Sequence, residues 1–279
     1  MELTEAEIKN LLGSVKIPPC PALLQEVMKE ARRPNADVSK IAIPVQQDAS
    51  MTAALLKLTN SPLSGIRVKI TSVPQAISFL GMKTTVNLVS NIALSQSMGD
   101  SSQKFTKFWE RSSLCATVAG RIARKITDVS PDDAYAAALF HDCGIPVLMG
   151  HYPTYRETVM AQSNQGKDIH AVENEHFATT HAIVGNMLAR SWFLPSHICQ
   201  AILHHHDHTI FTSPSDRIDK TVCRLIGIIY MAELIVDKHF CQENLEWPLV
   251  EKGVLFYLGL SLRESRELID DMLGFLNEE

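Results

Sequence analysis

Several classes are excluded by what this chain lacks. No uninterrupted apolar run reaches about 18 residues, so no membrane-spanning helix is expected. The acidic start, Met1-Glu2-Leu3-Thr4-Glu5, carries none of the apolar core of a signal peptide. There is no Lys/Arg run, and the formal net charge is -5, which argues against a general nucleic-acid binder. Arg67, Lys57, Lys69, Lys83 and Lys104 read as ordinary solvated side chains. The six cysteines (Cys20, Cys115, Cys143, Cys199, Cys223, Cys241) are scattered without CxxC spacing. Reduced, mostly buried thiols in a cytoplasmic protein fit that pattern. A glycine-rich nucleotide loop, a convincing hairpin pair and an internal repeat are also missing.

What is present is helical periodicity. The 279 residues, 46% hydrophobic and 20% charged, suffice for one large domain or two small ones with an ample core. Leu23, Leu24, Val27, Met28 and Ala31 follow i, i+3, i+4 spacing after Pro21, and Val38, Ile41, Ala42 and Val45 repeat it around Pro44. A third stripe, Met51, Ala54, Leu55 and Leu58, stops at the breaker cluster Asn60-Ser61-Pro62. Ser72 and Gln75 form a capping box with Pro74 in the first turn, opening a helix that ends at Gly81. Thr84 to Met98 reads as the next helix, and Met98–Gln103, small and polar, as a joint. A long helix over about 105–126 follows. Ser130-Pro131-Asp132-Asp133 is a strong start for another, predicted to end near Gly144 and Pro146. Further helices are predicted over about 153–164, 171–190, 196–206 and 219–239. Ser261 and Glu264 cap a final one carrying Leu268, Met272 and Leu276. The fold class expected is all-α.

His141 and Asp142 end the apolar run Ala136–Phe140, an imidazole and a carboxylate side by side. Ala134, Ala138 and His141 share a helical face at i, i+4, i+7. Phe177, His181, Val184 and Leu188 share another, and Ile198, Ile202 and His205 a third, with His206 four residues after Ile202. Three helices thus aim histidines at a core. Neutral imidazoles on facing helices suit zinc, iron or manganese. A hydrogen-bonded polar network between packed helices would carry the same pattern. His170, His176, His197 and His208 read as surface residues.

The chain resembles the HDOD family, the HD-related output domains, over about residues 15–210. The resemblance is carried in order by Ile17–Leu23, Gln47-Asp48, Leu55–Ser61, Ser72–Gly81, Leu139–Gly144, His181–Gly185, Trp192–Pro195, and Ile202 with His205-His206. It implies a multi-helical, HD-domain-like fold, related to metal-dependent phosphohydrolases such as the HD-GYP cyclic-di-GMP phosphodiesterases. His141-Asp142 match the His-Asp pair, His181 the next histidine, and His205 and His206 the His-His pair. Glu233 is the candidate for the last ligand. Arg111 stands where the first histidine of the catalytic enzymes falls. A guanidinium keeps its proton, has no lone pair for a metal and repels a cation. Asp207-His208-Thr209-Ile210 replaces the Glu and Gly-Tyr-Pro continuation. Arg111 pairing with Asp142 in place of a metal is therefore one reading of the pocket, and a bound divalent iron, manganese or zinc the other.

The resemblance implies a signal-transduction or regulatory module, non-catalytic and with a degenerate HD site. The competing reading is a metal-dependent phosphohydrolase acting on a nucleotide or cyclic dinucleotide, with Asp142 as its catalytic carboxylate. Residues 1–100 are expected to form an N-terminal helical subdomain, 101–210 an HD-like subdomain, and 211–279 a helical extension packed on it. No receiver, kinase or cyclase segment is recognised, so other signalling proteins are the expected partners, with a nucleotide-like small ligand and an oligomeric state left open.

Overall fold

Helix ends in this chain are set by side chains that take up otherwise orphaned amides. The computed structural model describes residues 15–61, 68–97, 103–126, 128–163, 166–212 and 218–277. Among the described residues five helices come first: α1 (Ala22–Ala31), α2 (Val38–Gln47), α3 (Ala49–Thr59), α4 (Val73–Leu80) and α5 (Met82–Ser97). The carboxylates of Asp37 and Asp48 accept from Ser39 N and Met51 N to start α2 and α3, at 2.8 and 2.9 Å. Ser72 Oγ accepts from Gln75 N at 3.3 Å to start α4. The Gln75 side chain reaches one residue further back than in an ordinary capping box, accepting from Thr71 N at 2.9 Å. Pro62 and residues 98–102 of the predicted joint lie outside the described residues.

The long helix α6 (Gln103–Lys125) packs against α7 (Pro131–Phe140) and α12 (Lys220–His239). Ser130 caps α7 as predicted, with Pro131 as its first residue. Between α7 and α12 lie α8 (Gly144–His151), a π-helical turn over Arg156–Met160 continued by Ala161–Ser163, α9 (Ile169–Phe177), α10 (His181–Ser191), α11 (Ser196–His204) and a short turn at Thr209–Thr212. α13 (Trp247–Leu258) and α14 (Leu262–Asn277) close the chain. The Ser261–Glu264 box is formed in both directions, at 3.2 and 2.8 Å. No strand occurs among the described residues, and none of their helices is long and apolar enough to cross a membrane.

One continuous core runs from Cys20 to Leu276. α12 lies at its centre, packed on by α6, α7, α11, α13 and α14. Its buried residues run from Val222 to Asp237 on every face, as a helix apolar all round requires. A smaller cluster joins Leu148, Tyr155, Val159, Val172 and Val184 beside α8 and α9.

Three predicted elements are corrected. The helix expected over 171–190 is two, α9 and α10, broken at Ala178, which takes the left-handed conformation at φ 50°. Thr180 then restarts the chain as the cap of α10. The helix carrying His141 stops at Phe140, and Pro146 belongs to the first turn of α8. The stretch 153–164 is a π-helical turn with a short α continuation.

Candidate metal centre

The break after α7 places the His-Asp pair. His141 is the C-cap of α7 and keeps a right-handed helical backbone, φ -55° and ψ -43°. Its Nδ1 lies 2.7 Å from the Ala138 carbonyl oxygen. An imidazole nitrogen facing a carbonyl must carry a proton, so Nε2 is the nitrogen left to take a further proton or a cation. That atom is buried without a hydrogen-bond partner. It points at Asp142 Oδ2, 3.0 Å away, and at Glu233 Oε1 on α12, 3.4 Å away.

Asp142 faces a second group with its other oxygen. His181 Nε2 lies 3.5 Å and His205 Nε2 3.6 Å from Asp142 Oδ1. His181 is the first residue of α10, and His205 the C-cap of α11 with Nδ1 2.7 Å from the Ile202 carbonyl. His206 follows, with Nδ1 on Glu246 at 3.0 Å and Nε2 3.0 Å from His181 Nε2. Ligand-type atoms of Asp142, His181, His205 and His206 fall within 4.8 Å of one another, and so do those of His141, Asp142 and Glu233. The six residues singled out from the sequence thus converge as two groups that share Asp142.

Close approach of backbone makes this possible. A Cβ on Gly144 would meet the His181 carbonyl oxygen at 2.0 Å and Gly185 N at 2.9 Å. Only glycine lets the His141–Gly144 turn press against the start of α10.

The electrostatics follow from burial and neighbours. Burial alone would push Asp142 up. The charge and hydrogen bond of His141, the hydrogen bond of His205 and the charge of His181 outweigh it and hold the carboxyl well below its usual range. Burial lowers His141, and the Asp142 and Glu233 carboxylates outweigh it, holding the ring well above the usual imidazole range. His205 is held well below that range, first by burial and then by the charge of His206. For His206, burial lowers the ring, and Glu246 overrides it to about 9.

Arg111 does not pair with Asp142. Its Nη2 lies 3.2 Å from Glu233 Oε1 and 3.1 Å from Asp237 Oδ1, both on α12. Two carboxylates of α12 claim the guanidinium, while the oxygens of Asp142 face histidine nitrogens. Asp237 was not visible as part of the site in the sequence, and neither were three other residues. Glu173, fully buried on α9, accepts from His181 N at 2.9 Å and sits 2.7 Å from His181 Nδ1. Glu246 contacts His206 and also lies 3.4 Å from His208 Nε2. His170, read as a surface residue, lies edge-on to His181 at 5.9 Å, with its Nε2 buried and unpartnered. Burial and the charges of His181 and His206 lower it to about 4. Of the other histidines read as surface, His197 lies 3.0 Å from Asp133 and His176 3.1 Å from Gln162.

The donor set fits a divalent metal. Three rings whose Nδ1 atoms face oxygens turn their Nε2 atoms together, 3.0 and 3.3 Å apart. Such atoms repel unless a proton or a cation sits among them. With the orphaned His141 Nε2 and the carboxylate of Asp142, they form a nitrogen- and oxygen-rich pocket of the kind iron, manganese and zinc take.

A family model described as HDOD domain matches residues 17–208. A curated relative, an uncharacterized protein of Treponema pallidum (strain Nichols), is 24% identical over 193 residues, 68% of this chain and 38% of its own length. The chain therefore spans well under half of that relative. Among solved structures, an HDOD domain protein of unknown function from Geobacter sulfurreducens superposes with TM-score 0.76 at 21% identity, covering 97% of this chain and 94% of its own. A candidate phosphohydrolase from Shewanella amazonensis SB2B gives 0.74 at 21%, with 95% and 94% covered. A candidate signal transduction protein from Marinobacter aquaeolei VT8 gives 0.73 at 19%, with 96% and 63% covered. At these identities the likeness establishes the fold.

Proposed function

The chain belongs to the HDOD domain family, and from that membership we propose that it is a non-catalytic regulatory module whose pocket holds one divalent metal. Asp142, His181, His205 and His206 would hold the ion. The other half of the pocket, His141, Asp142 and Glu233, already has a positive charge beside it in Arg111. That guanidinium, on Glu233 and Asp237 at 3.2 and 3.1 Å, is the observation that carries the reading. It supplies fixed charge where a second ion would supply Lewis acidity, and it offers no lone pair and no open coordination position. Signalling proteins are the proposed partners, in keeping with the description of the Marinobacter neighbour.

A bound metal would supply, in its general chemistry, charge to neutralise a ligand oxygen and acidity to a bound water. The chain's own residues do the rest. Ala138 and Ile202 orient His141 and His205 through their carbonyls, Glu173 and Glu246 orient His181 and His206, and Asp142 faces both groups.

Protein purified without chelator is expected to carry about one equivalent of iron, manganese or zinc per chain, reduced in Asp142→Ala. Two equivalents in the wild type would overturn the role given to Arg111. The competing reading, a phosphohydrolase of nucleotides or cyclic dinucleotides, draws support from the shared carboxylate of Asp142. Hydrolysis of an activated phosphodiester by the wild type, above that of Asp142→Ala with the same metals, would replace the non-catalytic reading.

A further inference from the structure

Glu173 is a carboxylate with no exposed surface, and all of its hydrogen bonds are accepted ones. Oε1 takes the hydroxyl proton of Tyr155. Oε2 takes the backbone N–H of His181 at 2.9 Å and faces His181 Nδ1 at 2.7 Å. Tyr155 is fully buried as well. Among the described residues, the charge partner recorded within salt-bridge reach is His181 itself.

A buried anion costs several kcal/mol unless positive charge lies close by. A phenol and an amide cannot supply it. The direction in which it can be supplied is through the imidazole. Opposite Nδ1, His181 Nε2 faces His206 Nε2 at 3.0 Å, His205 Nε2 at 3.3 Å and Asp142 Oδ1 at 3.5 Å. His205 differs: its Nδ1 faces a neutral carbonyl, that of Ile202. An imidazole backed by a carboxylate donates more electron density at its far nitrogen than one backed by a carbonyl.

We propose that Glu173 is a positioning residue that fixes the Nδ1–H tautomer of His181 and strengthens Nε2 as a donor to a divalent cation. This rests on the metal reading above. A purely structural role is the alternative, because the same carboxylate also pins the backbone where α10 begins.

Glu173→Gln separates the two. The amide oxygen can take the place of Oε2 and accept both His181 donors, while the amide nitrogen donates to the Tyr155 oxygen. The hydrogen bonds persist and only the charge is removed. Tyr155→Phe does the converse, keeping the charge and losing one bond. Cobalt(II) binding is followed by its visible absorption, alongside thermal unfolding of the metal-free proteins. Long-range proton–nitrogen NMR reads the His181 tautomer.

The expected result is a cobalt affinity about 10–100-fold weaker in Glu173→Gln, with metal-free thermal stability equal to or above wild type. Tyr155→Phe should keep wild-type affinity, and metal-free wild type should show His181 protonated at Nδ1. Equal cobalt affinity in wild type and Glu173→Gln, or an Nε2-protonated His181, overturns the role of Glu173 alone. Wild type that binds no cobalt overturns the metal reading and takes this inference with it.

Discussion

Replacing Arg111 by methionine removes a charge while keeping most of the volume of its stem. In the native protein the Arg111 side chain is 31% exposed, and those of its partners Glu233 and Asp237 are 14% and 10% exposed. Breaking a buried pair by deleting one member costs about 3–5 kcal/mol, because the remaining charge is stranded. Here two carboxylates are stranded, but nearly a third of the Arg111 side chain touches water, which offsets part of the loss. A net cost of about 2–3 kcal/mol is expected in chelator, a fall in Tm of roughly 3–6 °C for a chain of this size. The stranded acids include Glu233, whose Oε1 already lies 3.4 Å from His141 Nε2. The variant should therefore accept a second divalent ion at His141, Asp142 and Glu233. Metal at a hundred times its Kd contributes about 2.7 kcal/mol, enough to cancel most of the deficit. Differential scanning calorimetry with chelator and with manganese or zinc, paired with elemental analysis, measures both halves. Stability in chelator equal to wild type would refute the ion-pair estimate. One metal per chain in the variant would refute the view that Arg111 stands in for a cation.

Other consequences are simpler. Gly144→Ala sets a Cβ 2.0 Å from the His181 carbonyl oxygen, so α8 and α10 must part; a loss of about 3 kcal/mol in urea unfolding is expected, with weaker metal binding. Asp48→Ala removes the acceptor for Met51 N, 2.9 Å away, and should cost about 1 kcal/mol by the same measurement. Cys241 is the exposed thiol and the other five are buried, burial pushing Cys20 up to about 11. A thiol-specific disulfide reagent should therefore titrate Cys241 alone in the native protein and all six thiols after denaturation.

Local rules carried the reading of the helices furthest where a cap and a stripe agreed. Ser130 with Pro131, Ser72 with Pro74, and Ser261 with Glu264 each mark a helix start that forms. They failed at Ala178, where the chain turns left-handed on a residue with no glycine or asparagine to signal it. The signal available was Thr179-Thr180 before His181, a polar β-branched pair suited to capping. Missing that break hid Glu173. On one continuous helix, residues eight apart would be separated by about 12 Å. The break folds the chain back, so that Glu173 Oε2 and His181 Nδ1 lie 2.7 Å apart.

The sequence by itself determined the all-α class and picked out His141, Asp142, His181, His205, His206 and Glu233, because helical period and residue chemistry are local properties. Only the tertiary structure decided their partners. Arg111 and Glu233 are 122 positions apart and His206 and Glu246 40 apart, distances over which no spacing rule operates. Whether a histidine lone pair faces a carboxylate, a carbonyl or open space depends on which helices pack together. That packing placed Arg111 on α12, gave Glu173 to His181, and drew His170 from the expected surface to the edge of the cluster.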